Sequence, residues 1–241
     1  MLVAKDVRKS FGPTDALRGV SAVVTPGQIT ALIGPNGCGK STFLRAMSLL
    51  DPPDSGSVTI DEQEYSFPRR NGKAYPPPWP KLTMVFQQLF LWPHLTIRQN
   101  ITLPLRNLEG DHHEKVEALV DLLEMGEYLD RFPNQVSLGQ RQRAAIARAL
   151  ALEPKYLLLD EITSALDIEQ VGVVLNQLRI VSGQGTGVLL ITHLIGFAKQ
   201  AADQVLFMRS GKIEEAGGPE ILTSPKSDYL IKFLSLLEAR V

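Results

Sequence analysis

An eight-residue stretch early in the chain, Gly34 to Ser41, has residue types and spacing suited to holding phosphate. It reads GPNGCGKS and fits G-x-x-x-x-G-K-[ST], a glycine-rich loop that opens a helix. The glycines let successive backbone N–H groups point at one phosphate, and the helix N-terminus adds partial positive charge. Lys40 can reach the β- and γ-phosphates, and the Ser41 hydroxyl can ligate Mg²⁺. We therefore predict a nucleoside-triphosphate site, whose loop residues are Gly34, Pro35, Asn36, Gly37, Cys38, Gly39, Lys40, Ser41 and Thr42.

Two adjacent carboxylates follow another apolar run and supply what hydrolysis of a bound nucleotide needs. The run Tyr156–Leu159 has the composition of a strand buried on both faces, and Asp160 and Glu161 come directly after it. Because side chains alternate along a strand, the two carboxylates need not share one task. We assign Asp160 to the Mg²⁺ shell and Glu161 to orienting or deprotonating the attacking water. The pair alone is a weak signal, and the phosphate-binding loop upstream makes it a strong one.

The elements that must position these residues alternate between strands and helices. Ile29–Ile33 is a nearly all-apolar run before the glycine-rich loop, and a helix is predicted over Lys40–Leu50. A further apolar run, Val188–Ile191, ends at Thr192 and His193. Strands separated by helices, with polar residues just past the strand ends, are typical of a mostly parallel α/β sheet.

We expect one domain with a helical insertion. Short β-like runs at Leu2–Lys5 and Val20–Val24 predict an N-terminal antiparallel β region before the parallel sheet. A helix-rich middle, about 88–150, interrupts a core formed by about 1–87 and 151–241. Residues 69–81 carry prolines and basic residues, which indicate a surface loop rather than a docking site. Further helices are predicted over Asp111–Glu124, Gly139–Leu152, Asp167–Val181 and Tyr229–Leu237.

Composition and charge restrict the remaining functions. The 241 residues are 44% hydrophobic and 21% charged, which is ordinary for a globular protein. The formal net charge of −1 lacks the basic excess of nucleic-acid-binding proteins, so no nucleic-acid partner is expected. No apolar run approaches the length of about eighteen residues that a membrane span needs, so another chain would do any crossing. Cys38, the single cysteine, favours a reducing compartment and is interpreted as a small residue that fits the loop.

Taken together, these motifs give the chain a family resemblance over essentially its whole length. It resembles the nucleotide-binding subunit of ABC transporters, most of all the ATPase of bacterial uptake systems for polar amino acids. The resemblance implies a P-loop NTPase (RecA-like) fold with MgATP as cofactor. Besides the phosphate-binding loop, the motifs in family order are Phe86-Gln87-Gln88, Val136-Ser137-Leu138-Gly139-Gln140, Asp160-Glu161, Ser164-Ala165-Leu166-Asp167 and Thr192-His193.

Several residue roles are implied by this resemblance. Phe11 matches the aromatic residue that stacks on adenine, with a core residue as the alternative. Gln87 matches the glutamine that contacts Mg²⁺ and the water, or else it is a loop hydrogen-bonder. His193 matches the histidine that contacts the γ-phosphate, or it is a satisfied histidine at a strand end. The implied catalytic residues are Glu161, His193, Gln87 and Lys40, and the implied metal ligands are Ser41, Gln87 and Asp160.

The signature stretch VSLGQ departs from the family pattern at one residue. Ser137 is expected to cap a helix and donate to the γ-phosphate held by a second copy, with Gly139 offering its backbone N–H and Gln140 beside it. Leu138 stands where glycine is usual. Its side chain either points away harmlessly or thickens the loop and holds the phosphate off. Ile162, where proline is usual, is a second departure that would loosen the turn carrying Glu161.

The resemblance also implies partners and a location. A homodimer, or a pair with a related ATPase subunit, is expected, because each nucleotide needs one copy's phosphate loop and the other's signature. Integral membrane permease subunits would dock on the apolar run after Gln87, read alternatively as core, and a solute-binding protein would act indirectly. The expected location is the cytoplasmic face of the inner (plasma) membrane, as a peripheral subunit. Non-transport ABC ATPases of iron–sulfur assembly or cell-division type are the alternative, and Glu161 and His193 argue against a regulator that does not hydrolyse ATP.

Overall fold

A computed structural model describes residues 1–69, 75–106, 108–162 and 168–238 of the chain. Its strands form two sheets, and one hydrophobic cluster joins both sheets through residues such as Val7, Phe43 and Leu189. The strands are β1 (Leu2–Phe11), β2 (Thr14–Val24), β3 (Ile29–Ile33), β4 (Ser55–Ile60), β5 (Gln63–Phe67), β6 (Leu82–Val85), β7 (Tyr156–Asp160), β8 (Gly187–Ile191), β9 (Gln204–Arg209) and β10 (Lys212–Gly217). The helices are α1 (Lys40–Met47), α2 (Ile97–Thr102), α3 (His113–Leu122), α4 (Leu138–Leu150), α5 (Ile168–Gly183), α6 (Ile195–Ala201) and α7 (Asp228–Glu238).

The larger sheet has the order β10-β9-β3-β8-β7-β6. Its strands pair in parallel except β10, which runs antiparallel to β9 at one edge. Every residue of β3, β7 and β8 is buried, which explains why these strands read as continuous apolar runs in the sequence. Because the strands are parallel, the residues that follow β3, β6, β7 and β8 meet at one edge of the sheet, and this edge carries the predicted site residues.

The smaller sheet is antiparallel, with the order β2-β1-β4-β5. Strands β1 and β2 form a long hairpin that turns at Gly12 and Pro13. The sequence predicted shorter strands over Leu2–Lys5 and Val20–Val24. The strands extend further because exposed polar residues alternate with buried ones such as Val7 along the hairpin, a half-buried pattern that apolar runs alone do not reveal.

Helices α2, α3 and α4 occupy the predicted helix-rich middle of the chain. One hydrophobic cluster joins them to the face of the parallel sheet, with Ile101, Val120 and Ile146 from the helices and Leu157 and Leu190 from the strands. The division into a core and an inserted subdomain stays a prediction. None of the helices in the described ranges is long and apolar enough to cross a membrane.

The helix boundaries differ from the predicted ones by a few residues. Helix α1 ends at Met47 instead of Leu50, and α3 spans His113–Leu122 instead of Asp111–Glu124. The predicted start of the next helix at Asp167 lies outside the described residues, as does the Ser164–Asp167 motif. Leu49 and Glu124 have φ angles of 59° and 52°, so the backbone leaves the helical region before the apolar periodicity ends.

Candidate nucleotide-binding site

The ends of strands β3, β6 and β7 converge on a cavity of about 530 Å³. Predicted residues from three separate motifs line it: the loop from Asn36 to Thr42, Gln87 after β6 and Glu161 after β7. The antiparallel hairpin and the β9–β10 turn close the other side. The lining residues on that side belong to no sequence motif and are Thr14, Asp15, Ala16, Arg18, Ser210 and Gly211.

The glycine-rich loop needs its glycines for steric reasons. Gly37 and Gly39 have φ angles of 75° and 108°, in the left-handed region that side chains rarely adopt. A Cβ on Gly39 would lie 2.6 Å from the carbonyl oxygen of Ala16, and a Cβ on Gly34 would lie 2.1 Å from that of Met208. The backbone therefore curls against the neighbouring strands, as predicted, and α1 begins directly at Lys40.

Lys40 is buried and its side chain folds over the loop. Its Nζ donates hydrogen bonds to the carbonyl oxygens of Gly34, at 2.9 Å, and Pro35, at 3.1 Å. The ammonium group is thus held at the loop that would cradle a phosphate chain.

The Cys38 thiol lies in the hydrophobic core, among residues such as Phe43 and Leu206. Burial raises the pKa of this thiol above its ordinary value, which disfavours the reactive thiolate. The protein itself buries this side chain, as expected for a small residue that fits the loop.

Two of the predicted metal ligands are in direct contact. The Ser41 hydroxyl donates to Oδ1 of Asp160 at 3.0 Å. Asp160 is only 5% exposed, and this burial raises the pKa of its carboxyl group, although the Ser41 hydrogen bond and the charges of Arg45 and Lys40 oppose the shift. A desolvated carboxylate beside a hydroxyl oxygen is a donor set that fits Mg²⁺.

Glu161 is the centre of a second polar group at the same edge. Its Oε1 lies 2.6 Å from Nε2 of His193, and its Oε2 accepts a 3.4 Å hydrogen bond from the side-chain amide of Gln87. Glu161 itself adopts a left-handed φ of 51°. Three residues that were assigned separate tasks from the sequence are therefore brought together from the ends of β6, β7 and β8.

Ile162 was expected to loosen the turn that carries Glu161. Its side chain is buried at 1% exposure in the hydrophobic cluster that includes Leu159 and Val174. The turn is therefore anchored from the core side, since moving Ile162 would expose apolar surface.

Phe11 is 51% exposed, so the core alternative for this residue is wrong. It ends β1 at the tip of the hairpin, three residues before Thr14 at the cavity wall. The ammonium group of Lys9 lies 5.6 Å from the ring centroid. Its stacking on adenine stays a prediction.

The signature stretch forms the predicted helix cap. Ser137 precedes α4, its Oγ accepts from the Gln140 backbone N–H at 3.2 Å, and the Gln140 side chain accepts from the Ser137 N–H at 2.9 Å. Gln140 is thus occupied as the second half of a capping box. Leu138 is the first helical residue and packs against the hydrophobic cluster, so its side chain points away from the cap. Neither Ser137, Gly139 nor Gln140 lines the cavity of its own chain.

Comparison with known proteins decides the family. The model of the ABC transporter family matches residues 17–164. The chain is 41% identical to the arginine transport ATP-binding protein ArtM of Bacillus subtilis (strain 168), covering 97% of this chain and 100% of that protein. The chain belongs to the ABC transporter family. It is 39% identical to the octopine permease ATP-binding protein P of Rhizobium meliloti, covering 95% of this chain and 92% of the relative.

A solved structure of a related cassette shows the state after ATP hydrolysis. The dimeric structure of a post-hydrolysis state of the ATP-binding cassette MJ0796, bound to ADP and Pi, has a TM-score of 0.77 and 30% identity to this chain. The match covers 91% of this chain and 99% of that one. The predicted P-loop NTPase fold is confirmed, and the chain is an ATP-binding and ATP-hydrolysing subunit of this family.

Proposed function

We propose that this ABC ATPase powers the uptake of polar amino acids through a membrane permease. The meeting of the Ser41–Asp160 pair and the Glu161–His193–Gln87 group at one cavity carries the hydrolytic half of the proposal. The transport half is supported by the relatives, which are named as ATP-binding proteins of arginine transport and of an octopine permease. Those names favour transport over the iron–sulfur assembly or cell-division alternative.

We infer a task in ATP hydrolysis for each of these residues. Ser41, Asp160 and Gln87 would hold Mg²⁺, which neutralises charge on the β- and γ-phosphates when bound. Lys40, freed from its loop carbonyls, binds the phosphate chain. Glu161 orients the attacking water and takes its proton, and His193 holds Glu161 and contacts the γ-phosphate.

A second copy would complete the site. The capped N-terminus of α4, with Ser137 and Gly139, does not line the cavity of its own chain and is free to face the γ-phosphate of another copy. ATP would then hold two chains together through charge-assisted hydrogen bonds that hydrolysis removes. The match to a dimeric cassette supports this arrangement.

The apolar run after Gln87 supplies a surface for the permease. Leu89 is buried and Leu91 packs against the hydrophobic cluster, whereas Phe90 and Trp92 are 57% and 50% exposed. We call Phe90 and Trp92 the aromatic patch. Two exposed aromatic side chains next to the site glutamine fit a docking surface for a membrane subunit at the cytoplasmic face of the membrane.

The dimer is tested with Glu161→Gln, which should bind ATP but hydrolyse it at least about 10²-fold more slowly. Light scattering of this variant with MgATP should give the mass of two chains, and without nucleotide the mass of one. The matched control is Glu62→Gln, an exposed carboxylate in the β4–β5 turn, which should hydrolyse ATP normally. A Glu161→Gln chain that stays monomeric at saturating ATP, even beside its permease, would contradict the shared site.

The transport role is tested by isolating the chain from its native membrane. We expect integral membrane subunits to co-purify, and ATP hydrolysis by the complex to rise when a solute-binding protein loaded with a polar amino acid is added. Recovery of the chain with scaffold proteins and no permease would contradict transport.

A further inference from the structure

Arg148, near the end of α4, connects this helix to the turn that follows Gln87. Its Nη1 donates to the carbonyl oxygen of Phe90 and its Nη2 to that of Leu89, both at 2.7 Å. A planar guanidinium presents its N–H groups in a fixed fork and so holds the two carbonyls in one orientation, which the freely rotating donors of an ammonium group do not impose. Burial lowers the pKa of Arg148 from its ordinary value, and its side chain is only partly exposed.

The carbonyls that Arg148 holds belong to an unusual turn. Leu89 and Phe90 are successive non-glycine residues with φ angles of 56° and 45°. Such a conformation persists only where surrounding contacts maintain it. Here the Leu89 side chain is buried and the Phe90 ring packs edge-on against Phe86 at 5.3 Å, while Arg148 binds the two carbonyls.

This turn lies between the nucleotide site and the aromatic patch. Gln87, two residues before Leu89, reaches Glu161, and Phe90 and Trp92 form the patch. Arg148 is ten residues, or roughly 15 Å of helix, from the capped N-terminus of α4. Helix α4 therefore carries the signature residues at its N-terminal end and, near its C-terminal end, a side chain bonded to the Leu89–Phe90 turn.

We propose that Arg148 is a positioning residue that makes the Leu89–Phe90 turn, and with it the aromatic patch, move together with α4 when ATP engages the signature end. The inference rests on the proposed dimeric function, because that end is engaged by a second copy's ATP. Arg148 does not line the nucleotide cavity, and it acts by joining the signature helix to the turn.

Trp92 provides a direct readout of the patch. The chain has two tryptophans, Trp79 and Trp92, so Trp79→Phe leaves Trp92 as the single emitter. Adding Glu161→Gln keeps the ATP intact. In this parent, MgATP should shift the Trp92 emission. With Arg148→Lys added, the shift should shrink by about fivefold or more, while ATP affinity stays within about twofold.

Arg143→Lys is the matched control. Arg143 lies on the same helix, and its Nε donates to the Tyr128 hydroxyl at 3.2 Å. This control should keep the full Trp92 shift. A full-size shift in Arg148→Lys, or an equal loss in Arg143→Lys, would overturn the proposal.

If Arg148→Lys does not fold, hydrogen exchange on the Glu161→Gln chain, which keeps Arg148, tests the same link. MgATP should slow exchange in both residues 86–91 and residues 145–150, since the two segments move as one. Protection of one segment without the other would overturn the inference. Failure of the proposed function is distinguishable, because light scattering would then show no ATP-bound dimer. If the dimer forms but MgATP does not change Trp92 emission in the Trp79→Phe, Glu161→Gln chain, only the Arg148 proposal is overturned.

Discussion

Two regions, the nucleotide edge with Ser41, Asp160 and Glu161, and the aromatic segment, residues 89–100, bury polar groups with opposite effects on stability. At the nucleotide edge, Asp160 is buried and accepts a hydrogen bond from the Ser41 hydroxyl, and burial raises the pKa of its carboxyl group. In the segment after Gln87, the fully buried Asn100 accepts from the Trp92 N–H at 2.7 Å, and its amide nitrogen lies within 3.1 Å of the carbonyls of Trp92, Leu95 and Thr96.

The two buried groups are expected to have opposite effects on the free energy of unfolding. A carboxylate desolvated for a ligand costs folding free energy until the ligand arrives, whereas an amide whose groups are all bonded by its own chain stabilises the fold. Substitutions at the two places should therefore move stability in opposite directions.

The largest expected effect is at Asp160. Asp160→Asn should lower ATP hydrolysis by roughly 10²- to 10³-fold because it removes a charge from the metal site. The nucleotide-free variant should nevertheless be more stable by about 1 kcal/mol at neutral pH. Urea unfolding and steady-state hydrolysis measure the two effects. A variant that loses both stability and activity would contradict the idea that burial of the Asp160 charge destabilises the nucleotide-free fold.

The pH dependence of Asp160→Asn has a definite sign. Burial raises the pKa of Asp160 above its unfolded-state value, so its ionisation opposes folding. Well below the unfolded-state pKa of about 4, both states hold the proton and the penalty vanishes. The penalty grows as the pH rises from that value to the raised folded-state pKa and is constant above it. The stability advantage of Asn over Asp should therefore increase from acidic to neutral pH in urea titrations. An advantage independent of pH would point to another cause.

The opposite behaviour is expected at Asn100. Asn100→Ala should lower the free energy of unfolding by about 3 kcal/mol, because buried carbonyls and an N–H group lose their partner. Urea denaturation measures this, with the exposed Asn134→Ala as control, expected to change stability by less than about 0.5 kcal/mol. A mild effect at Asn100 would mean that the aromatic segment is held chiefly by apolar packing.

The smallest expected change in stability is at two helix caps of the same type, one at the signature stretch and one in the aromatic segment. Ser137 caps α4 and Thr96 caps α2, each in a capping box with a glutamine three residues later. Ser137→Ala and Thr96→Ala should each cost about 1 kcal/mol of stability. Only Ser137→Ala should also weaken ATP hydrolysis, because Ser137 is the cap expected to face a second copy's nucleotide. The kcat and KM for ATP are measured at a protein concentration high enough for dimers to form. Equal kinetic losses in both variants would show that capping alone is responsible.

Much of the nucleotide edge was predictable because its residues are local in sequence. The glycine-rich loop, the apolar strands β3, β7 and β8, and the Ser137 cap each follow from short-range patterns of spacing and backbone conformation. The hairpin strands were predicted too short, since their alternating polar residues look like loop. The cavity wall formed by Thr14 and Gly211 had no sequence signal, because it arises from distant segments that meet only after folding.

The phosphate-binding loop, the two carboxylates at the end of β7 and the parallel sheet follow from the amino-acid sequence, because loop glycines and buried apolar strands leave patterns in neighbouring residues. Tertiary structure alone decided that Leu138 packs inward, that Ile162 anchors its turn, and that Glu161 meets His193 and Gln87. It also decided that Arg148 holds a turn nearly sixty residues away. Side-chain direction and long-range contact depend on how helices pack against the sheet, and no local pattern contains that packing.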